Sequence, residues 1–139
     1  MRLFLAAKPS RFELYRQLNF ELSRFDNDDE IEYCFETVAR CLGLRTIKLS
    51  LEYMALTFLV QLHKDEDGLT SYPRSADDLM QWYQLKRLLE CDTLQTVIIE
   101  VIEPSHPAKD AAMRLGDLLE AEFANKVQKQ IISVGHAYK

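Results

Sequence analysis

The chain has 139 residues, 47% of them apolar and 10% aromatic, which suits one soluble globular domain rather than a disordered segment. Four glycines and four prolines point away from a turn-rich sandwich or barrel and towards long helices. A formal net charge of −5 works against a general positive field for nucleic acid.

Met1–Lys8 contains too short an apolar run for a signal-peptide core, and no stretch reaches the ~18 apolar residues of a membrane span. Ser10 followed by Glu13 resembles a capping box, and Leu14, Tyr15, Leu18, Leu22 and Phe25 then share a stripe that predicts a helix over 10–25. The acids around Asn27 cap a second helix carrying Ile31, Cys34, Phe35, Val38, Cys41 and Leu42, with Gly43 at its end. Residues 46–63 fit two periods, since Ile47, Leu49, Leu51 and Tyr53 alternate while Ile47, Leu51, Met54, Phe58 and Leu62 keep helical spacing. The nineteen positions from Arg45 to His63 hold no turn residue, which favours a buried central helix over 46–63, with Phe58 as a core residue.

Residues 65–75 form the longest polar connection, after which Ser75 and Asp78 open a helix over 76–91. Leu94, Val97, Ile98, Val101 and Ile102 make a short helix, with a strand as the competitor because of their β-branching. Pro107 then starts a long helix whose apolar residues run from Ala111 to Val134, with Gly116 available for a close helix crossing. No internal repeat is apparent. The expected fold is all-α: one domain over 1–139, about six helices, a long C-terminal helix, and a possible subdivision at 65–75.

Three cysteines give no disulfide framework, and Cys34 and Cys41 lie too far apart along a helix to bridge. Reduced thiols point to a cytoplasmic protein. No phosphate loop, dinucleotide fingerprint, nucleophile elbow or zinc spacing appears, so no catalytic residue, metal or cofactor is assigned and no enzyme is expected. Residues 65–103 hold nine acids against three basic residues, which marks a solvated face or a docking surface for a basic partner.

Two stripes lie off the predicted core faces: Phe12, Arg16 and Phe20 on the first helix, and Met80, Tyr83 and Arg87 on the fourth. Aromatics, Met and Arg are the types enriched where proteins bind proteins. The favoured reading is therefore a non-enzymatic interaction module: an adaptor, assembly chaperone or inhibitor. Ile131, Ile132 and Val134, at the overhanging end of the last helix, would support a weak homodimer. The alternative is a DNA-binding regulator, because Val38–Thr46 resembles the first helix and turn of a helix-turn-helix. In that reading residues 35–54 meet DNA and Arg40, Arg45 and Lys48 contact phosphates.

Overall fold

The computed structural model describes residues 2–4, 15–23, 27–60, 70–102, 105–123 and 127–134. After a short strand β1 (Arg2–Phe4), Leu18, Phe20 and Leu22 alternate with Gln17, Asn19 and Glu21 to make strand β2 (Gln17–Leu22). The helix expected over 10–25 is thus a strand in its described part, and residues 10–14 and 24–25 lie outside the described residues. Helix α1 (Asp28–Arg40) forms as its pattern predicts, with the Asn27 side chain accepting from the Glu30 amide and acids filling the first turn.

The predicted central helix is replaced by three elements: strand β3 (Thr46–Glu52), a single helical turn α2 (Tyr53–Leu56) and strand β4 (Thr57–Val60). Buried Thr57 ends α2, its hydroxyl donating to the Tyr53 carbonyl at 2.7 Å. Strand β5 (Thr70–Pro73) pairs antiparallel with β4, and Phe58 stacks on Tyr72 across that pair at 5.8 Å. Phe58 is 39% exposed, so it is not core. Phe58→Ala is expected to lower stability by about 1 kcal/mol, the worth of one half-exposed aromatic pair, instead of the 3–5 kcal/mol of a buried site. Chemical denaturation measures the difference directly.

Ser75 caps α3 (Ala76–Trp82), which gives way to a 3-10 helix (Leu85–Glu90) at Gln84, a residue with φ of 52°. The β-branched run becomes strand β6 (Thr96–Ile102), as the competing reading allowed. The last predicted helix divides into α4 (His106–Glu122) and strand β7 (Gln128–Val134). Gly116 permits a close helix–sheet approach in place of a helix crossing. A Cβ there would meet the Lys129 side chain at 2.9 Å and that of Ile131 at 3.3 Å.

The fold is therefore mixed α/β and not an all-α bundle. One sheet has the order β1-β2-β3-β6-β7, with β2, β3, β6 and β7 mutually parallel and β1 antiparallel; β4 and β5 form a separate pair. Register stacks Leu18, Ile47 and Val97 in one row, Phe20, Leu49, Ile99 and Ile131 in the next, and Leu22, Leu51 and Val101 in a third. These residues, Ile131 apart, are buried, and they join the apolar faces of α1, α3 and α4 in one core. Because successive parallel strands are added in one direction, crossovers of the usual hand carry α1 and α4 over the same face.

A repeat of fifty positions emerges from this winding. Cys41-Leu42-Gly43-Leu44-Arg45-Thr46 and Cys91-Asp92-Thr93-Leu94-Gln95-Thr96 make the same turn into neighbouring strands, and Thr46 pairs with Thr96. Cys41 has φ −89°, ψ 75° and Cys91 φ −90°, ψ 95°.

Candidate functional site

The two predicted docking stripes do not exist as surface stripes. Phe12 lies outside the described residues. Phe20 is buried in the sheet, Met80 and Tyr83 are buried beneath α3, and the Tyr83 hydroxyl donates to the Ser23 carbonyl at 2.9 Å. Arg16 remains exposed; its carbonyl accepts from the amides of Arg45 and Thr46, and its guanidinium reaches the Gly43 carbonyl at 3.4 Å. Helical spacing places these side chains on one face, whereas the elements that form turn Phe20, Met80 and Tyr83 inward.

The helix-turn-helix reading is likewise corrected. Residues 35–54 comprise the end of α1, a turn, strand β3 and the start of α2, so no recognition helix follows the turn. Arg40 and Arg45 are exposed at the N-terminal edge of the sheet. Lys48 lies within β3 and pairs with Glu100 at 2.7 Å. The three cations do not share one presenting helix.

Arg87 is the member of the predicted stripes that the structure places in a defined site. Its guanidinium lies 4.7 Å above the Phe35 ring and grips the Glu32 carboxylate through two nitrogens, at 2.5 and 3.2 Å. The clamp joins α1 to the 3-10 helix. The hydrogen bond from Arg87 holds the Glu32 carboxyl below its ordinary range. A depressed carboxyl favours the fold above the ordinary glutamate pKa and loses that contribution as pH falls through the lowered value. Carbon-detected NMR titration should find the Glu32 midpoint below the usual glutamate range, and Arg87→Met should return it. A midpoint unmoved by the substitution would show that the clamp is not kept in solution.

Beside the clamp opens a cleft of about 320 Å³, walled by Phe35, Val38, Cys41 and Cys91 and rimmed by Glu90 and Asp92. Asp77, Met80, Gln84 and Leu118 border a second hollow of about 500 Å³ between α3 and α4. Among the described residues no three His, Cys, Asp or Glu side chains come together as a metal site. No helix of the described residues is long and apolar enough to cross a membrane.

The sheet has a second face, made by the alternate residues of the same strands. Register places Lys48, Ile98 and Gln130 in one row and Ser50, Glu100 and Ile132 in the next, with Ile102 beside Val134 at the end. Glu100 takes the Lys48 ammonium and a hydrogen bond from the Ser50 hydroxyl at 3.0 Å, so the centre of the face is internally neutralised. Ile98, Ile102 and Ile132 stay half-buried where the helix-side residues of β3 and β6 are fully buried. Ile132 and Val134, expected on a helix, thus lie on this strand face, while Ile131 points towards the core.

The chain matches no family model, and no match is found among curated proteins or solved structures.

Proposed function

We propose that the protein is a non-enzymatic interaction module, working in the cytoplasm, that docks another protein on the open face of its sheet. The observation carrying this reading is the patch of Ile98, Ile102, Ile132 and Val134 around the neutral Lys48–Glu100 pair. Among the described residues the helices cover one side of the sheet, which leaves the other side as a flat, preformed platform. The Lys48–Glu100 pairing offsets part of the desolvation cost that covering those charges would carry. Four strands at ~4.8 Å spacing and about 20 Å length offer on the order of 400 Å². That is about half of one side of a standard interface, so the complex is transient.

A partner of different sequence fits better than a second copy joined edge to edge. Lys129, on edge strand β7, turns to the helix side and pairs with Asp117 and with Glu120 at 3.1 Å. An inward-facing charge on an edge strand discourages a further strand from adding beside it. Of the three residues expected at a weak homodimer seam, Ile131 packs against the core while Ile132 and Val134 lie on the open face.

The test is the double substitution Ile98→Glu with Ile132→Glu in the full chain. Affinity capture from the native host should recover a partner with the wild-type protein and lose it with the variant, at unchanged circular dichroism. Retention of that partner by the variant removes this face as the docking surface. A wild-type protein that captures nothing specific, or that sediments as a dimer at low micromolar concentration, removes the reading itself.

A further inference from the structure

We propose that Cys41 and Cys91 are a redox-active thiol pair, oxidised to an intramolecular disulfide by a low-molecular-weight disulfide entering the cleft. The inference rests on the fifty-residue repeat and is independent of the docking surface. The two turns share four backbone hydrogen bonds at equivalent positions. Each cysteine amide donates to the carbonyl three residues back, Val38 and Leu88, both at 3.1 Å. Each cysteine carbonyl accepts from the residue three on, Leu44 at 3.0 Å and Leu94 at 3.3 Å. Arg45 and Thr46 both donate to the Arg16 carbonyl, and Gln95 and Thr96 both donate to that of Arg45. One turn is therefore the other displaced by a single strand spacing.

That spacing is ~4.8 Å between neighbouring strands, inside the Cα separation of roughly 4.4–6.8 Å that disulfides adopt. The Thr93 hydroxyl pins the turns together, donating to the Leu44 carbonyl at 2.6 Å while lying 3.7 Å from the Cys91 sulfur. Both cysteines line the same cleft. Cys41 is buried at its floor and Cys91 is half-exposed. Burial pushes the Cys41 thiol up, and the neighbouring Cys91 adds to the rise, as expected of two sulfurs close enough to feel each other's charge.

Exposure fixes the order of events. The Cys91 thiolate attacks one sulfur of the incoming disulfide; the new bond joins Cys91 to that half of the reagent, and the other half leaves as a thiolate. Cys41 gives its proton to solvent and attacks the Cys91 sulfur, expelling the second half. Two protein thiols are oxidised to one disulfide while the reagent is reduced to two thiols. Cys34, buried on the core side of α1 and no part of the cleft wall, stays reduced.

The experiment exposes the folded full chain to oxidised glutathione, followed by alkylation, intact mass and peptide mapping. The wild-type protein should lose the mass of two hydrogen atoms, yield a Cys41–Cys91 linked peptide pair, and keep Cys34 alkylated. Cys41→Ser should instead hold one glutathione on Cys91, because nothing remains to displace it. A wild-type protein that accumulates a lasting glutathione adduct on Cys91 overturns the proposal. So does a linkage through Cys34, or inertness of both cleft thiols when the urea-unfolded chain reacts readily.

Discussion

Leu49→Ala is expected to remove about 2–5 kcal/mol of stability, the range for deleting a buried leucine from a packed core. Leu49 sits at the middle of the longest register row, between Phe20 on β2 and Ile99 on β6, and is 1% exposed. Strands on both sides hold the backbone in place by their ladders, so the space left by the isobutyl group cannot collapse. Against a total of about 5–15 kcal/mol for a domain, the loss takes a large share. At ~2–4 °C per kcal/mol for a chain near this size, a thermal midpoint lowered by roughly 10 °C follows. A shift of only one or two degrees would mean that Leu49 does not face the helices.

Tyr83→Ala should cost about as much, ~3–5 kcal/mol, through the loss of a buried aromatic ring. The ring is 2% exposed, meets Trp82 edge-on at 6.3 Å, and carries the hydroxyl that reaches the Ser23 carbonyl beyond β2. Tyr83→Phe isolates the hydrogen bond and should lose about 1 kcal/mol. This pair of variants separates the two roles that Tyr83 can be given. A docking residue would change partner binding and leave the melting temperature alone; a core residue does the reverse. Denaturant titration of both variants, with partner capture beside it, reads the difference.

The errors in reading the sequence share a physical cause. Apolar residues four apart satisfy a helical stripe, yet the same two positions also lie on one face of a strand. Leu18 and Leu22, Ile47 and Leu51, and Val97 and Val101 are all such pairs, and all lie in parallel strands. Parallel strands are apolar on much of both faces, so Ile98 and Ile102 blur the alternation that would have marked β6. In 46–60 three elements meet without a glycine or proline, because Thr57 makes the turn by bonding the Tyr53 carbonyl. Helix α1 was legible because Ile31, Cys34, Phe35 and Val38 do not fit period two and Asn27 stands where a cap is needed.

The cleft was partly legible. Cysteine, leucine and threonine recur at the first, fourth and sixth positions of the two turns, at 41, 44 and 46 and again at 91, 94 and 96. The forty-four residues of unlike sequence between them, 47–90, hide the echo until the strands are placed side by side. Helical spacing groups Arg87 with Met80 and Tyr83, yet those two are buried while Arg87 clamps Glu32. Nothing local marks the open sheet face, because membership depends on which strands become neighbours.

The strand order runs in one direction only, so the fold is a short coil of strand-and-helix turns rather than a closed body. Coils of that kind have unlike ends, and each further turn needs contacts with the previous one alone. At one end the antiparallel β1 halts the winding, since a reversed strand offers no parallel crossover to continue it. At the other end β7 leaves in the same sense as every strand before it, with Lys129 and its two acids as the guard. Growth by gene fusion or by a designed extra turn is therefore directional. A sixth strand with its helix belongs after β7, and replacing Lys129 with an apolar residue is the change that opens the coil to receive it.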